Sequence, residues 1–268
     1  MIDLRLGDSL KVIKTMPDNS VDLVITSPPY NIGMKYDELD SDSKSNEDYL
    51  LFTKEYLTGC YRLLKDDGRF CLNIGYKVST VKDGGIDYVD LLNLIKSIGY
   101  TVRETIVWVK SRQKEDPQSF CGANTAWGSW MSASNPICRA RMEFIFILNK
   151  DKYKKERKGI TTITKQEFMD YASNVWYFPA ETDRTHKAPF PVELPKRCIK
   201  FYTFENDTVL DPFMGLAATG VACKELGRNF IGIEILPKYF KIAKRRIGGT
   251  PANNPPKDLI KVKDEDQN

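Results

Sequence analysis

Between Val21 and Thr26 the chain runs VDLVIT and then stops against Pro28 and Pro29. A short apolar run bounded this way reads as a strand buried on both faces. Phe230–Ile235 (FIGIEI) is a second such run. Strands of this kind belong to parallel sheets covered by helices on both sides. The rest of the chain fits that arrangement. Strand patterns occupy Ile2–Gly7, Arg69–Ile74, Thr101–Val109, Glu143–Leu148 and Thr208–Leu210. Helical spacing covers Glu47–Lys65, Tyr88–Ile98, Val192–Lys200, Gly215–Leu226 and Lys238–Arg246. Asp66–Gly68 reads as the end of the first helix, and Gly99 and Gly227 as C-terminal caps. The alternation predicts an α/β fold with a doubly wound, mostly parallel sheet.

Composition limits the function classes. The chain has 268 residues, 41% hydrophobic and 28% charged, enough for one large core. One domain over residues 1–247, with an insertion, is expected. Residues 248–268 are rich in Pro, Asn and Lys without periodicity and read as a flexible tail. No apolar run approaches the roughly 18 residues of a membrane-spanning helix. The opening MIDLRLGDSL, with Asp3 and Asp8, is not a signal peptide, so a cytoplasmic protein is expected. The six cysteines show no CxxC spacing, which argues against zinc and favours buried thiols; no metal site is expected. Net charge is only +4, but residues 110–158 carry eleven basic against five acidic side chains. That segment reads either as a face for a polyanion or as a solvated charged surface.

Two motifs carry the chemistry. In the first, DPFMGLAATG (Asp211–Gly220) leaves a strand and enters a helix, with Glu234 at the end of the next strand. Glycines there allow close backbone approach, and such an acid can accept both hydroxyls of a ribose. A tight turn with a surface acid is the plain alternative, and a NAD-dependent oxidoreductase would use the same elements. In the second, TSPPYN (Thr26–Asn31) follows VDLVIT. Its prolines cannot donate hydrogen bonds, so the turn presents carbonyl oxygens, the Ser27 hydroxyl and the Tyr30 ring. A planar amine needs two acceptors and an aromatic face, which Ser27, the Pro28 carbonyl and Tyr30 supply. Both turns fall at carboxyl ends of predicted strands, where ligands of such sheets gather.

TSPPY together with DPFMG resembles the DNA amino-methyltransferases, in the beta-group order with the catalytic turn first and the cofactor turn last. The resemblance extends from Gly7 to about Ile247. It implies a Rossmann-like methyltransferase fold with an antiparallel hairpin, a circularly permuted motif order and an inserted target-recognition region over about residues 111–175. It implies S-adenosyl-L-methionine as cofactor, double-stranded DNA as substrate, and methylation of an exocyclic amine on a flipped base. A homodimer and a cognate restriction endonuclease are possible partners on the same ground. The catalytic turn is assigned to Ser27, Pro28, Pro29 and Tyr30. Cofactor contacts are assigned to Asp8, Asp211, Pro212, Phe213, Met214, Gly215, Thr219 and Glu234, with His186 and Lys187 near the cofactor carboxylate. DNA contacts are assigned to Arg139 and Arg141. SPPY is associated within the family mainly with cytosine methylated at N4; adenine N6 is the alternative. Ala217 stands where the family carries a glycine.

Overall fold

The computed structural model describes residues 1–33, 43–75, 77–78, 86–111, 128–136, 138, 141–181 and 191–248. Strand β1 (Ile2–Leu6) is followed by helix α1 (Ser9–Lys14), β2 (Val21–Thr26), α2 (Asn46–Leu63) and β3 (Leu64–Gly75). A two-stranded ribbon of β4 (Lys77–Val78) and β5 (Ile86–Asp87) precedes α3 (Tyr88–Ile98). Next come β6 (Thr101–Lys110), β7 (Met142–Asn149), α4 (Lys165–Tyr171) and β8 (Val175–Phe178). The chain closes with α5 (Glu193–Tyr202), β9 (Thr208–Asp211), α6 (Ala218–Glu225), β10 (Asn229–Glu234) and α7 (Pro237–Gly248).

Eight strands form one sheet in the order β1-β10-β9-β2-β3-β7-β6-β8. All run parallel except β7, which is antiparallel to both neighbours. This is the mostly parallel sheet with an antiparallel pair that the sequence implies. Side-chain alternation divides the core between the two faces. Val24, Phe70, Leu72 and Ile231 pack on one face against Ile13, Tyr56, Leu57 and Ile95 of α1, α2 and α3. Leu23, Ile25, Cys71, Ile147 and Val209 pack on the other against Leu194, Ile199, Ala222 and Ala243 of α5, α6 and α7. VDLVIT reads as continuously apolar because both faces are covered; all six residues are buried.

Several boundaries differ from the sequence reading. Asp66–Gly68 does not separate helix from strand: β3 begins at Leu64, directly after α2. Its register jumps from Val21↔Leu64 to Leu23↔Arg69, so these residues form a bulge inside the strand. Helix α6 begins at Ala218 rather than Gly215, because Gly215 and Ala217 both adopt left-handed backbone. The short elements α1, α4 and β8 were not anticipated. Cys60, Cys71, Cys198 and Cys223 are buried free thiols, whereas Cys138 is exposed, contrary to expectation; Cys121 lies outside the described residues. Of the stretch assigned to target recognition, β7 sits inside the sheet and α4 packs beside α5, while residues 112–127, 137 and 139–140 lie outside those described. The proposed tail, beyond Gly248, also lies outside them.

Candidate active site

In the sheet's spatial order, its carboxyl rim carries Asp8 after β1, Glu234 on β10, Asp211 on β9, Thr26 and Ser27 at β2, and Asn73 near the end of β3. Because β7 runs the opposite way, its first residues reach the same rim: Glu143 pairs with Gly75. Lys110 ends β6 beside them. From β9 the chain crosses to β10 on one side of the β9–β2 boundary, and from β2 it crosses to β3 on the other. That boundary is the switch point where such sheets open a crevice.

The two motif turns meet there. β2 and β9 are hydrogen-bonded neighbours through Leu23↔Val209 and Val24↔Leu210. At their ends the Thr26 hydroxyl donates to Asp211 Oδ1 at 2.8 Å. The Thr219 hydroxyl donates to Asp211 Oδ2 at 2.7 Å, and the Phe213 amide to Oδ1 at 3.2 Å. The carboxyl is fully buried, and burial pushes its pKa up to about 6 against the pull of those three bonds. Asp211 therefore ties the catalytic turn, the cofactor turn and the start of α6 together. The Ser9 hydroxyl donates to the Pro212 carbonyl, and the Met214 amide to the Ile233 carbonyl at 3.0 Å. Phe213 packs against Phe52 and Tyr56 of α2, with ring centroids 5.8 and 5.3 Å away. Ala217 sits at φ 58°, ψ 46° with its methyl fully buried. An alanine in that region costs about 1–2 kcal/mol relative to right-handed backbone.

Glu234 ends β10 facing this turn. Its Oε2 accepts the Gly215 amide at 3.0 Å and its Oε1 accepts the Leu236 amide at 2.8 Å. Burial pushes its pKa up to about 7; the Leu236, Gly215 and Ile235 amides oppose the shift and the nearby Asp211 charge adds to it. Asp8 is half-buried and caps α1, its Oδ1 accepting the Leu10 amide at 2.9 Å.

The catalytic turn is held from three directions. The Tyr49 hydroxyl of α2 donates to the Pro29 carbonyl at 2.9 Å. Asn31, at φ 56°, exchanges two hydrogen bonds with the Lys44 backbone, at 2.8 and 2.6 Å. The third anchor joins side chains of four strand ends. The Ser27 hydroxyl donates to Tyr30 Oη at 2.9 Å. The Tyr30 hydroxyl lies 3.2 Å from Glu143 Oε2 and 3.3 Å from the Asn73 carbonyl. Asn73 Nδ2 donates to Glu143 Oε2 at 2.7 Å, and Lys110 bridges to Glu143 Oε1. Burial, then the Glu143 charge, pushes the Tyr30 phenol well above its ordinary pKa. Asn73, Glu143 and Lys110 were not singled out from the sequence. A signal existed: Asn73 interrupts the apolar stretch Phe70–Ile74 of β3, and Glu143 the apolar stretch Met142–Leu148 of β7.

The structure brings Ser27, Pro28, Pro29, Tyr30, Asp8, Asp211, Pro212, Phe213, Met214, Gly215, Thr219 and Glu234 to one rim. Arg141 is exposed just before β7, and its carbonyl accepts the Lys110 amide at 3.0 Å. Arg139, His186 and Lys187 lie outside the described residues. The basic stretch is not one face. Lys150 pairs with Asp66, Lys155 with Asp22 and Asp207, and Arg157 with Asp207. Asp22 and Asp207 stand at the amino ends of β2 and β9, so these cations gather at the end of the sheet opposite the rim.

Known proteins are similar to this chain. The type II methyltransferase M.MjaVI of Methanocaldococcus jannaschii is 39% identical over 171 residues, 63% of this chain and 82% of the relative. The DNA adenine methyltransferase YhdJ of Escherichia coli K12 is 28% identical, over 96% of this chain and 86% of its own. The solved structure of TTHA0409 from Thermus thermophilus, complexed with S-adenosyl-L-methionine, superimposes with a TM-score of 0.67 at 27% identity, over 92% of this chain and 95% of that one. The family model described as DNA methylase matches residues 21–245. On that match, and with the SPPY turn, the DPFMG turn and Glu234 at a single rim, the chain belongs to this family of N6- and N4-directed DNA methylases.

Proposed function

We propose that this chain transfers a methyl group from S-adenosyl-L-methionine to the exocyclic N4 amine of a cytosine extruded from duplex DNA. The observation that carries the reading is the Thr26–Asp211 hydrogen bond, which sets the SPPY turn beside the DPFMG turn. The cofactor fits the residues present. The Glu234 oxygens take backbone amides at Gly215 and Leu236, and a carboxylate has about four acceptor sites, so acceptor capacity remains for ribose hydroxyls. Asp8 uses Oδ1 as a helix cap; Oδ2, unengaged by the described residues, would accept from the adenine amine. The backbone of Pro212, Phe213, Met214 and Gly215 would line the methionine portion. The side chains of Asp211 and Thr219 bond inward and hold that backbone in place. His186 and Lys187 are assigned to the cofactor carboxylate from sequence alone.

When bound, S-adenosylmethionine supplies a methyl group already activated by its sulfonium. The protein's part is position and a dry polar surrounding. The Ser27 oxygen and the Pro28 carbonyl would accept the two N–H bonds of the amine and hold its nitrogen in line. Ser27 is suited to accept because its own proton lies on Tyr30. The Tyr30 ring would stack on the base, which must leave the duplex to reach such a site. Arg139 and Arg141, in the proposed recognition region 111–175, would contact the DNA.

The SPPY turn supports cytosine. Similarity to YhdJ, an adenine enzyme, supports adenine N6 as a second reading. Incubation with unmethylated duplex DNA and methyl-labelled cofactor, followed by nucleoside digestion and mass spectrometry, separates them. N4-methylcytosine is the expected product. N6-methyladenine alone would replace the target base, and no labelled nucleoside would remove the activity.

A further inference from the structure

We infer that Glu143 is a positioning residue that fixes the direction of a hydrogen-bond chain, Ser27 to Tyr30 to Glu143, so that Ser27 meets the target amine with a lone pair and not a proton. The inference rests on the proposed amine transfer and deepens it. A hydroxyl can donate or accept, and nothing in a serine alone decides which. An ionised carboxylate only accepts. Glu143 Oε2 stands 3.2 Å from Tyr30 Oη, so the phenol proton is drawn towards it. Asn73 points its Nδ2 at the same oxygen at 2.7 Å, so the neighbouring amide also treats that oxygen as an acceptor. Lys110 forms an ion pair with Oε1, which leaves Oε2 to Tyr30 and Asn73.

With its proton committed, Tyr30 Oη is left as an acceptor, and the Ser27 hydroxyl donates to it at 2.9 Å. Ser27 then has only lone pairs to offer. An exocyclic amine presents N–H donors, so this polarity suits it. The reversed chain would set the serine proton against an amine proton. Glu143 sits on β7, and its side-chain bonds among the described residues go to Tyr30, Asn73 and Lys110, so its route to the amine runs through Tyr30 and Ser27.

Glu143→Gln keeps the shape and turns one acceptor into a donor. It can present an amide proton to Tyr30 Oη and reverse the chain. Full-length wild type, Glu143→Gln, Glu143→Asp, Tyr30→Phe and the Glu143→Gln/Tyr30→Phe double variant are compared on unmethylated phage DNA with methyl-labelled S-adenosylmethionine. The expected result is a loss of kcat of about tenfold or more in Glu143→Gln, the scale of a hydrogen bond to a charged group, with KM for cofactor and DNA unchanged. Glu143→Asp, still acceptor-only, retains more activity than Glu143→Gln. Tyr30→Phe keeps the stacking ring but cuts the chain, so the double variant is no slower than Tyr30→Phe alone. Unchanged kcat in Glu143→Gln, losses that multiply in the double variant, or an effect confined to KM would each overturn the inference. If Glu143→Gln does not fold, the cycle of Tyr30→Phe with Ser27→Ala replaces it. Tyr30→Phe should then slow the wild type but not the Ser27→Ala background; equal slowing in both overturns the chain. A wild type inactive on DNA overturns the transfer reading itself, which sets that failure apart from the others.

Discussion

Glu234 shows how one carboxylate serves the unliganded and the liganded chain differently. Burial raises its pKa from 4.5 to about 7, so the folded protein holds a proton that the unfolded chain would have lost. The stability from this group is fully present below pH 4.5 and falls as pH rises through about 7. In the proposed ribose site cofactor binding would run the other way, because the ionised carboxylate is the better acceptor for ribose hydroxyls. Calorimetric affinity for S-adenosylmethionine should therefore strengthen between about pH 6 and 8 in the wild type, the range that brackets the raised pKa. Glu234→Gln should bind at least about tenfold more weakly at the upper end of that range and lose that dependence; an unaltered Kd would remove Glu234 from the ribose site. At this scale the sequence showed which turns and which terminal acid would share a rim, as with Ser27, Pro28, Gly215 and Glu234. It was silent on Asp211 as an internal tie, because Thr26 is 185 residues away and only the adjacency of β2 and β9 brings them together. Glu143 was hidden for the same reason.

Elements were legible where their ends carry local chemistry. Helix α3 runs from Tyr88 to Ile98 as expected, because Asp87 closes a capping box and Gly99 adopts φ 115° at the other end. Helix α1 and strand β8 have six and four residues, too short for periodicity to register, and sheet pairing and caps make them what they are. The bulge at Asp66–Gly68 looks like a helix terminator in sequence, since Asp and Gly serve both ends. The packing of the cofactor turn onto β10 gives a testable consequence. A Cβ at Gly232 would lie 2.5 Å from Met214 Sδ and 2.6 Å from a Phe230 ring carbon. Gly232→Ala should displace Met214, destabilise the fold by about 1–3 kcal/mol in denaturant titration and weaken cofactor binding together with stability. A variant as stable as wild type would show that the turn is not seated there.

The whole molecule divides into two ends with different work. The carboxyl rim gathers the groups proposed for transfer, while the opposite end gathers a buried ion network around Asp22 and Asp207. Charge counting along the chain could not separate these, because Lys150, Lys155 and Arg157 follow β7 to the far end whereas Lys110 and Arg141 stay at the rim. Lys155 has its pKa lowered by burial and stands between two buried carboxylates. Lys155→Met should cost about 3–5 kcal/mol of stability and leave DNA affinity unchanged in filter-binding or anisotropy titrations. A large loss of DNA affinity at full stability would return that end to the DNA-binding face. Among the described residues no helix is long and apolar enough to cross a membrane.

The decisive measurement is a crystal structure of the chain with a non-transferable analogue of S-adenosylmethionine. The account predicts the ribose hydroxyls on Glu234, the adenine beside Asp8 and the group replacing the methyl turned towards Ser27, with room for one amine nitrogen between them. An analogue seated away from Glu234, or one whose reactive group points away from the SPPY turn, would contradict it.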